Sequence, residues 1–374
     1  MAVYIYMAQG DEYYGVQKAR DAYNGLHDAY AAAGWTDEQI DTVLQMQTPD
    51  NAFFDAQGLH VYHVAANVVF DDADILNWIV SKQTTTQTYT RTTPIETVRN
   101  DPVFGDYGRL IFPVERSYYS GDTLEQLHLT YYNNIDPDET VDICNTLRQR
   151  AADGQTIFYD IYTEDEKAAD PDKADTGLFY FKGNSGAKFS ICNAGGAFAY
   201  VGAMQDSFPH ALELSRKEYN AFALIYRPGA QTACEDLARA IAFVFAHAEE
   251  LEVDTSGYSL WGGSAGARMA AWLGSYGTAS FGEQAYPQPG AVIMQYTGLG
   301  EVYGNEPPTY ACVGDRDYIA DERVMRWRIE TIRSQGTPAE IEVFPGLAHG
   351  FGLGTGTSAE GWLDHAVAFW EENT

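Results

Sequence analysis

The 374-residue sequence predicts an α/β protein in which a mostly parallel, doubly wound sheet follows a helical N-terminal extension. Three observations predict it. From about residue 155 onward, short apolar runs alternate with helix-periodic stretches. A glycine-flanked serine stands between one such run and one such helix. The first 150 residues, rich in Tyr and Asp, show no such alternation, which divides the chain into an extension at 1–150 and a main domain at 151–374.

In the extension, Tyr14, Val16, Ala19, Tyr23 and Leu26 recur at helical spacing and predict a helix over 14–33. Thr36, with Gln39 three residues on, reads as a capping box that opens a second helix through Met46. The Thr-rich run from Thr84 to Pro94 reads as a linker, although its β-branched residues also suit an exposed strand. Asp136-Pro137 starts a helix to about Ala152, and Gly154 stops it. Strands are predicted at 156–162, 177–182, 187–193, 220–227, 257–262, 290–296, 309–314 and 339–345. Helices are predicted at 207–218, 231–250, 265–275, 321–335 and 359–372. The early strands lack helices between them and predict an antiparallel edge; the later alternation predicts parallel strands. In such sheets, chemistry gathers at the carboxyl ends of the strands.

Hydrophobic residues make up 45% and charged residues 20%, a globular balance that excludes a disordered chain. No apolar run is long enough to cross a membrane as a helix. Asp and Glu total 53 against 23 Lys and Arg, a formal net charge of −30. Such a surface repels phosphate backbones and anionic lipid, so neither nucleic acid nor membrane insertion is expected. The four cysteines do not make a disulfide scaffold, and Cys192 and Cys312 sit in apolar runs that read as core. Residues 1–10 lack the features of a signal peptide. The sequence as it stands therefore reads as cytoplasmic, and as secreted or cell-envelope if a leader has been removed.

The strongest chemical signal is Gly262-Gly263-Ser264-Ala265-Gly266, a G-x-S-x-G that follows the apolar run Tyr258-Ser259-Leu260 and precedes the helical Ala267 to Leu273. A strand–turn–helix context is what a nucleophile elbow requires: the turn exposes the hydroxyl and aims the next N–H, here that of Ala265, at a developing oxyanion. A serine needs a base, and the base an orienting carboxylate. After such an elbow the acid precedes the histidine. Of the two downstream histidines, His349 lies in a glycine-flanked loop after a strand, whereas His365 lies inside the last helix. The strand at 309–314 ends in a turn with two aspartates; Asp317 suits the acid, and Asp315 suits local backbone bonding within the turn. The strand at 187–193 runs into Ala194-Gly195-Gly196-Ala197, where small residues let N–H groups reach a reacting carbonyl. His60-Val61-Tyr62-His63 has no third ligand nearby, and the surface loop Tyr162 to Glu166 lacks calcium-loop spacing, so no metal is expected.

Four segments stand in one order: AGGAF at 194–198 with NAFALIYR at 220–227, then GGSAGAR at 262–268, PPTYACVGDRD at 307–317 and EVFPGLAHGFG at 342–352. Together they resemble the serine esterases of the α/β-hydrolase superfamily, in particular acetyl-xylan and feruloyl esterase-like and hormone-sensitive-lipase-like members. The likeness covers about 176–374. It implies Ser264 as nucleophile, Asp317 as acid and His349 as base, with N–H donors among Gly195, Gly196, Ala197 and Ala265. The chain departs from the pattern at Ala194, where those families carry His or Pro, and at Ala197, where they carry a third glycine. Arg268 stands at a place that is often small or polar; it reads as a partner for one of the many acids in preference to the alternative, a substrate contact.

The function expected is therefore a serine hydrolase that cleaves short-chain acyl or aryl esters, carbohydrate-linked ones included, through a Ser-His-Asp triad and an acyl-enzyme. No cofactor is expected, and the partner is a small-molecule ester. An amide, peptide or formamide hydrolase on the same fold is the alternative, although 150 upstream residues are too few for a seven-bladed propeller. A non-catalytic binding protein with a hydrolase fold is disfavoured by the presence of all three triad residue types in order. Residues 1–150 are expected to form a cap or lid; tyrosines such as Tyr13, Tyr14, Tyr118, Tyr119, Tyr131 and Tyr132 suit either the lining of an acyl or aryl pocket or, as such residues more often do, packing of the added segment against the core.

Overall fold

The computed structural model describes residues 2–64, 72–73, 75–76, 78, 88–112, 119–129 and 134–374. The chain divides into two compact units, Met1–Thr88 and Tyr89–Thr374. The division thus falls well before residue 150. The physical reason is burial: Val98, Phe104, Ile111, Ile143 and Leu147 belong to the same apolar core as the main sheet. Tyr118, Tyr131, Tyr132 and residues 84–87 of the predicted linker lie outside the described residues.

In the first unit, strand β1 (Val3–Tyr6) pairs in parallel with β2 (Leu44–Gln47), Val3 opposite Leu44. Between them run the helices Val16–Ala32 and Asp37–Val43. The capping box forms at both ends, with Gln39 N donating to Thr36 Oγ1 at 3.3 Å and Thr36 N donating to Gln39 Oε1 at 2.9 Å. The helix it opens stops at Val43 rather than continuing through Met46, because Leu44 to Gln47 are drawn into pairing with β1. His60 and His63 face separate carboxylates, Asp55 at 3.0 Å and Asp11 at 2.8 Å.

In the second unit, the helical segments Ile95–Arg99 and Pro102–Leu110 precede the short antiparallel pair β3 (Tyr119–Ser120) and β4 (His128–Leu129). Its main sheet comprises β5 (Phe158–Tyr159), β6 (Gly177–Phe181), β7 (Lys188–Asn193), β8 (Asn220–Ile225), β9 (Asp254–Gly263), β10 (Ala291–Gln295), β11 (Thr309–Gly314) and β12 (Ala339–Phe344). Among the described residues the order is β12-β11-β10-β9-β7-β8-β6-β5. From β12 to β8 every neighbouring pair is parallel; β6 is antiparallel to both its neighbours. This is the α/β-hydrolase arrangement, with the expected antiparallel edge. Crossover helices Phe208–Arg216, Ala230–Ala246, Ala265–Tyr276 and Glu322–Ser334 connect the parallel strands, and Trp362–Glu372 closes the chain. No described helix is long and apolar enough to cross a membrane.

Two local rules shape the approach to the sheet. Asp136 caps the helix Pro137–Ala152 by accepting from Asp138 N at 2.7 Å and Glu139 N at 3.1 Å. Thr163 and Glu166 form a second capping box, so Glu164–Ala169 is helical where a surface loop is expected from charge alone.

At the end of β8, buried Arg227 donates from Nη2 to the fully buried Asp236 at 2.7 Å and from its backbone N–H at 2.7 Å. This pair fixes the strand end to the helix Ala230–Ala246. Removing Asp236 leaves the buried guanidinium only the half-exposed Asp170, 2.7 Å from Nη1, so Asp236→Ala should destabilise the unit by about 3 kcal/mol, the low end for a broken buried pair, in denaturant titration. A loss below about 1 kcal/mol, the range of an exposed pair, would contradict the role assigned to it.

Candidate active site

β9 lies at the middle of the sheet, with Trp261 opposite Cys192 of β7 and Ile293 of β10. Its last six residues are buried. Ser264 follows immediately at φ 53, ψ −114. That region is sparsely populated for a side-chain-bearing residue and costs about 1–3 kcal/mol. The surrounding packing enforces it. A Cβ on Gly262 would lie 2.3 Å from the Gly266 carbonyl group, and one on Gly266 would lie 2.0 Å from Asn193 O. Strand and helix meet closer than any side chain allows, and the serine is the residue left at the bend.

The structure brings Ser264, His349 and Asp317 together. Ser264 Oγ lies 3.0 Å from His349 Nε2, and His349 Nδ1 lies 2.8 Å from Asp317 Oδ2. Facing a carboxylate, Nδ1 carries the ring proton, which leaves Nε2 to accept from the serine hydroxyl. Asp317 is buried, and its other oxygen accepts from Ile319 N at 2.8 Å and Ala320 N at 2.7 Å. Asp315 does not bond within its own turn. Its Oδ1 accepts from Gly346 N at 2.6 Å and so stitches the end of β11 to the histidine loop. His365 lies on the last helix against Glu342, at 2.8 Å.

The small-residue loop after β7 bends through three consecutive positive φ values: Gly196 at 135, Ala197 at 54 and Phe198 at 59. Among the described residues, the N–H groups of Gly196, Ala197 and Ala265 donate no hydrogen bond to protein. Gly195 differs from the expectation. Its N–H donates to Asp206 Oδ1 at 2.8 Å and is therefore committed inside the protein.

Several polar residues of the site carry no local sequence signal. Three carboxamides hold the histidine loop by its carbonyls: Asn134 Nδ2 donates to His349 O at 3.0 Å, Gln205 Nε2 to Gly350 O at 2.5 Å, and Gln295 Nε2 to Gly352 O at 2.9 Å. A cavity of about 330 Å³ borders that loop, lined in part by Asn134, Ile135, Glu139, Leu347 and Phe351. Asp206 lies behind the elbow, fully buried. Besides Gly195, it accepts from Tyr296 OH at 3.2 Å, and the Tyr296 ring stands edge-on to His349 with centroids 5.0 Å apart. Arg268, read from the sequence as an acid's partner, makes no ion pair among the described residues. All four cysteines are free and buried. Among the described residues no group of three His, Cys, Asp or Glu side chains could hold a metal ion.

The sheet order and the turn at Ser264 define an α/β-hydrolase fold. Within it, residues 182–294 match the BD-FAE family model, a stretch that contains the loop after β7 and the elbow. A thermophilic esterase from the planctomycete Thermogutta terrifontis is similar in structure, with 22% identity over 57% of this chain and 93% of its own and a TM-score of 0.50. An acetyl ester-xyloside bifunctional hydrolase from Caldicellulosiruptor lactoaceticus is 20% identical over 57% of this chain and 95% of its own, with a TM-score of 0.51. No curated protein matches the chain.

Burial pushes the Asp206 carboxyl up to about 7, against the opposing pull of its Gly195 and Tyr296 hydrogen bonds and of nearby His349. The folded protein thus keeps this proton to near neutrality, whereas the unfolded chain releases it around the ordinary value of 3.8. The stability tied to that proton is lost as pH rises through this window. Asp206→Asn cannot titrate. Its thermal midpoint should therefore gain on that of the wild type as pH is raised from about 4 to 7, and the gap should level off above. A pH-independent difference would contradict the assignment.

Proposed function

We propose that this chain is a serine hydrolase that cleaves carboxylic esters. The relay Ser264–His349–Asp317, with the serine held at a strained turn, carries the reading. In the reaction, Ser264 Oγ attacks the ester carbonyl carbon while His349 Nε2 takes the hydroxyl proton. Asp317 keeps the imidazole in the required tautomer and stabilises the imidazolium. The carbonyl electrons collect on oxygen, where the N–H groups of Ala265 and of Gly196 and Ala197 receive them. Removal of one such donor typically costs about 3–4 kcal/mol of transition-state stabilisation.

Collapse of this intermediate breaks the bond to the alcohol oxygen, which takes the proton from His349 and leaves as the free alcohol. The acyl group remains on Ser264. His349 then takes a proton from water, the resulting hydroxide attacks the acyl carbon, and the second collapse releases the carboxylic acid and reprotonates Ser264. Every proton that moves passes through His349 Nε2.

Short-chain acyl and aryl esters, including those on carbohydrate, are the substrates this reading favours. The similarity to an esterase and to an acetyl ester-xyloside hydrolase supports that choice at the level of substrate class. Hydrolysis of 4-nitrophenyl acetate and butyrate should fall by about 10⁴-fold or more in Ser264→Ala. It should fall by about 10³–10⁴-fold in Asp317→Asn, which leaves the histidine in place with the wrong tautomer. Retention of more than about a tenth of the activity in Ser264→Ala, where loss of the nucleophile leaves only binding and the oxyanion donors, would overturn the proposal.

A further inference from the structure

The helix that begins after Ser264 buries nearly all of itself. Along Ala265–Tyr276 only Arg268, Trp272 and Tyr276 reach the surface, and with Ser264 they recur every four residues. Positions four apart stack on one helix face, so the reactive serine heads a single accessible stripe. At 1.5 Å per residue, Arg268 stands about 6 Å and Trp272 about 12 Å along the axis from Ser264.

The chemistry of the stripe is specific. Arg268 has no carboxylate partner among the described residues, although the chain carries 53 acids against 23 basic residues. Its guanidinium reaches across the loop that follows β10: a Cβ on Gly298 would lie 3.6 Å from Arg268 Nη2 and 3.9 Å from Ile319 O. The cation therefore stands at the carboxyl edge of the sheet, beside the loop that carries Asp317. Beyond it the stripe turns aromatic. Trp272 is stacked on Phe198, at 5.9 Å and 11°, and Phe198 directly follows Ala197. Trp272 Nε1 donates to Tyr303 OH at 3.2 Å, and the Tyr303 ring lies 4.6 Å from that of Tyr276.

A planar guanidinium matches a carboxylate with two parallel hydrogen bonds, and exposed aromatic faces take flat or apolar groups. The acidic surface does not cancel this locally. Charges more than about 8 Å away are largely screened at physiological salt, whereas Arg268 acts at contact. We propose that this stripe selects the substrate: Arg268 binds a second, ionised carboxyl group carried by the ester about one helical turn, ~6 Å, from the scissile carbonyl, and Trp272 covers the portion beyond it. This rests on the hydrolase reading above and narrows its substrate class to carboxylate-bearing esters.

The test uses two pairs of esters matched in chain length and differing by one carboxylate. Monomethyl adipate against methyl hexanoate places the anion on the acyl side; 4-acetoxybutanoate against butyl acetate places it on the alcohol side. The wild type should favour the anionic member of one pair by about ten-fold or more in kcat/KM, the worth of one charge-assisted hydrogen bond. The responding pair identifies which side of the ester lies along the helix. That ratio should fall toward unity in Arg268→Gln, survive in part in Arg268→Lys, and shrink for the wild type as NaCl is raised. A wild type that cleaves the neutral members at least as well in both pairs overturns the subsite and leaves the hydrolase reading standing. So does a wild type that cleaves none of the four while a neutral fluorophosphonate labels Ser264. Absence of both cleavage and labelling overturns the hydrolase reading and the subsite with it.

Discussion

Ser264 stands at φ 53 because β9 runs straight into a helix whose first turn packs against the strand that leads to it, and the remaining geometry is organised around that bend. That contact excludes a side chain at Gly262, and the approach of the same helix to the end of β7 excludes one at Gly266. It also places the serine at the carboxyl end of the central strand, where the loops after β7, β10, β11 and β12 converge. Each of those loops brings one component: the small-residue turn at 194–198, Tyr296 and Gly298, Asp317, and His349. A strained residue persists only where its surroundings over-determine it, and here the two neighbours of β9 do so: Asn193 O of β7 closes on Gly266, and Gln295 O of β10 accepts from Ser264 N at 3.0 Å.

Carboxylates in this chain follow two regimes. Most of the 53 lie on the surface and give the chain its charge. A few are buried, and each of these is held by donors. Asp317 takes two backbone N–H groups and His349, Asp236 takes Arg227, and Asp206 takes Gly195 N–H and Tyr296 OH. Among the described residues no cation is in hydrogen-bonding contact with Asp206, so burial prevails and pushes its carboxyl up to about 7. By tying the loop after β7 to Tyr296, which in turn contacts His349, it links the two sides of the site from behind. The same bond that fixes this loop removes Gly195 from the donors available to a substrate.

Much of the fold was legible because β6 to β12 and their helices alternate with the periods that burial demands, and their ends fall within a few residues of the predicted ones. Ser264, Asp317 and His349 were legible because each sits in a short pattern of glycines and strand ends. What escaped depends on contacts remote in sequence. Asn134 meets His349 across 215 residues, Gln205 meets Gly350 across 145, and Gln295 meets Gly352 across 57. None of these amides differs locally from any polar residue at an element's end. The strand Leu44–Gln47 was hidden for a related reason: four residues are too few to show a period of two against the helix before them, and only pairing with Val3–Tyr6 decides. Arg268 illustrates the converse. A chain rich in acids predicts a carboxylate partner for Arg268, yet among the described residues no carboxylate pairs with it on the accessible stripe of its helix.

The central claim is that Ser264 is an activated nucleophile, and activation depends on His349 accepting its proton. Labelling of the folded protein with a fluorophosphonate, with the modified residue mapped by mass spectrometry, tests it most directly. The account predicts stoichiometric modification at Ser264 in the wild type and its loss in His349→Ala. Modification elsewhere, none at all, or an undiminished rate at Ser264 in His349→Ala would contradict it.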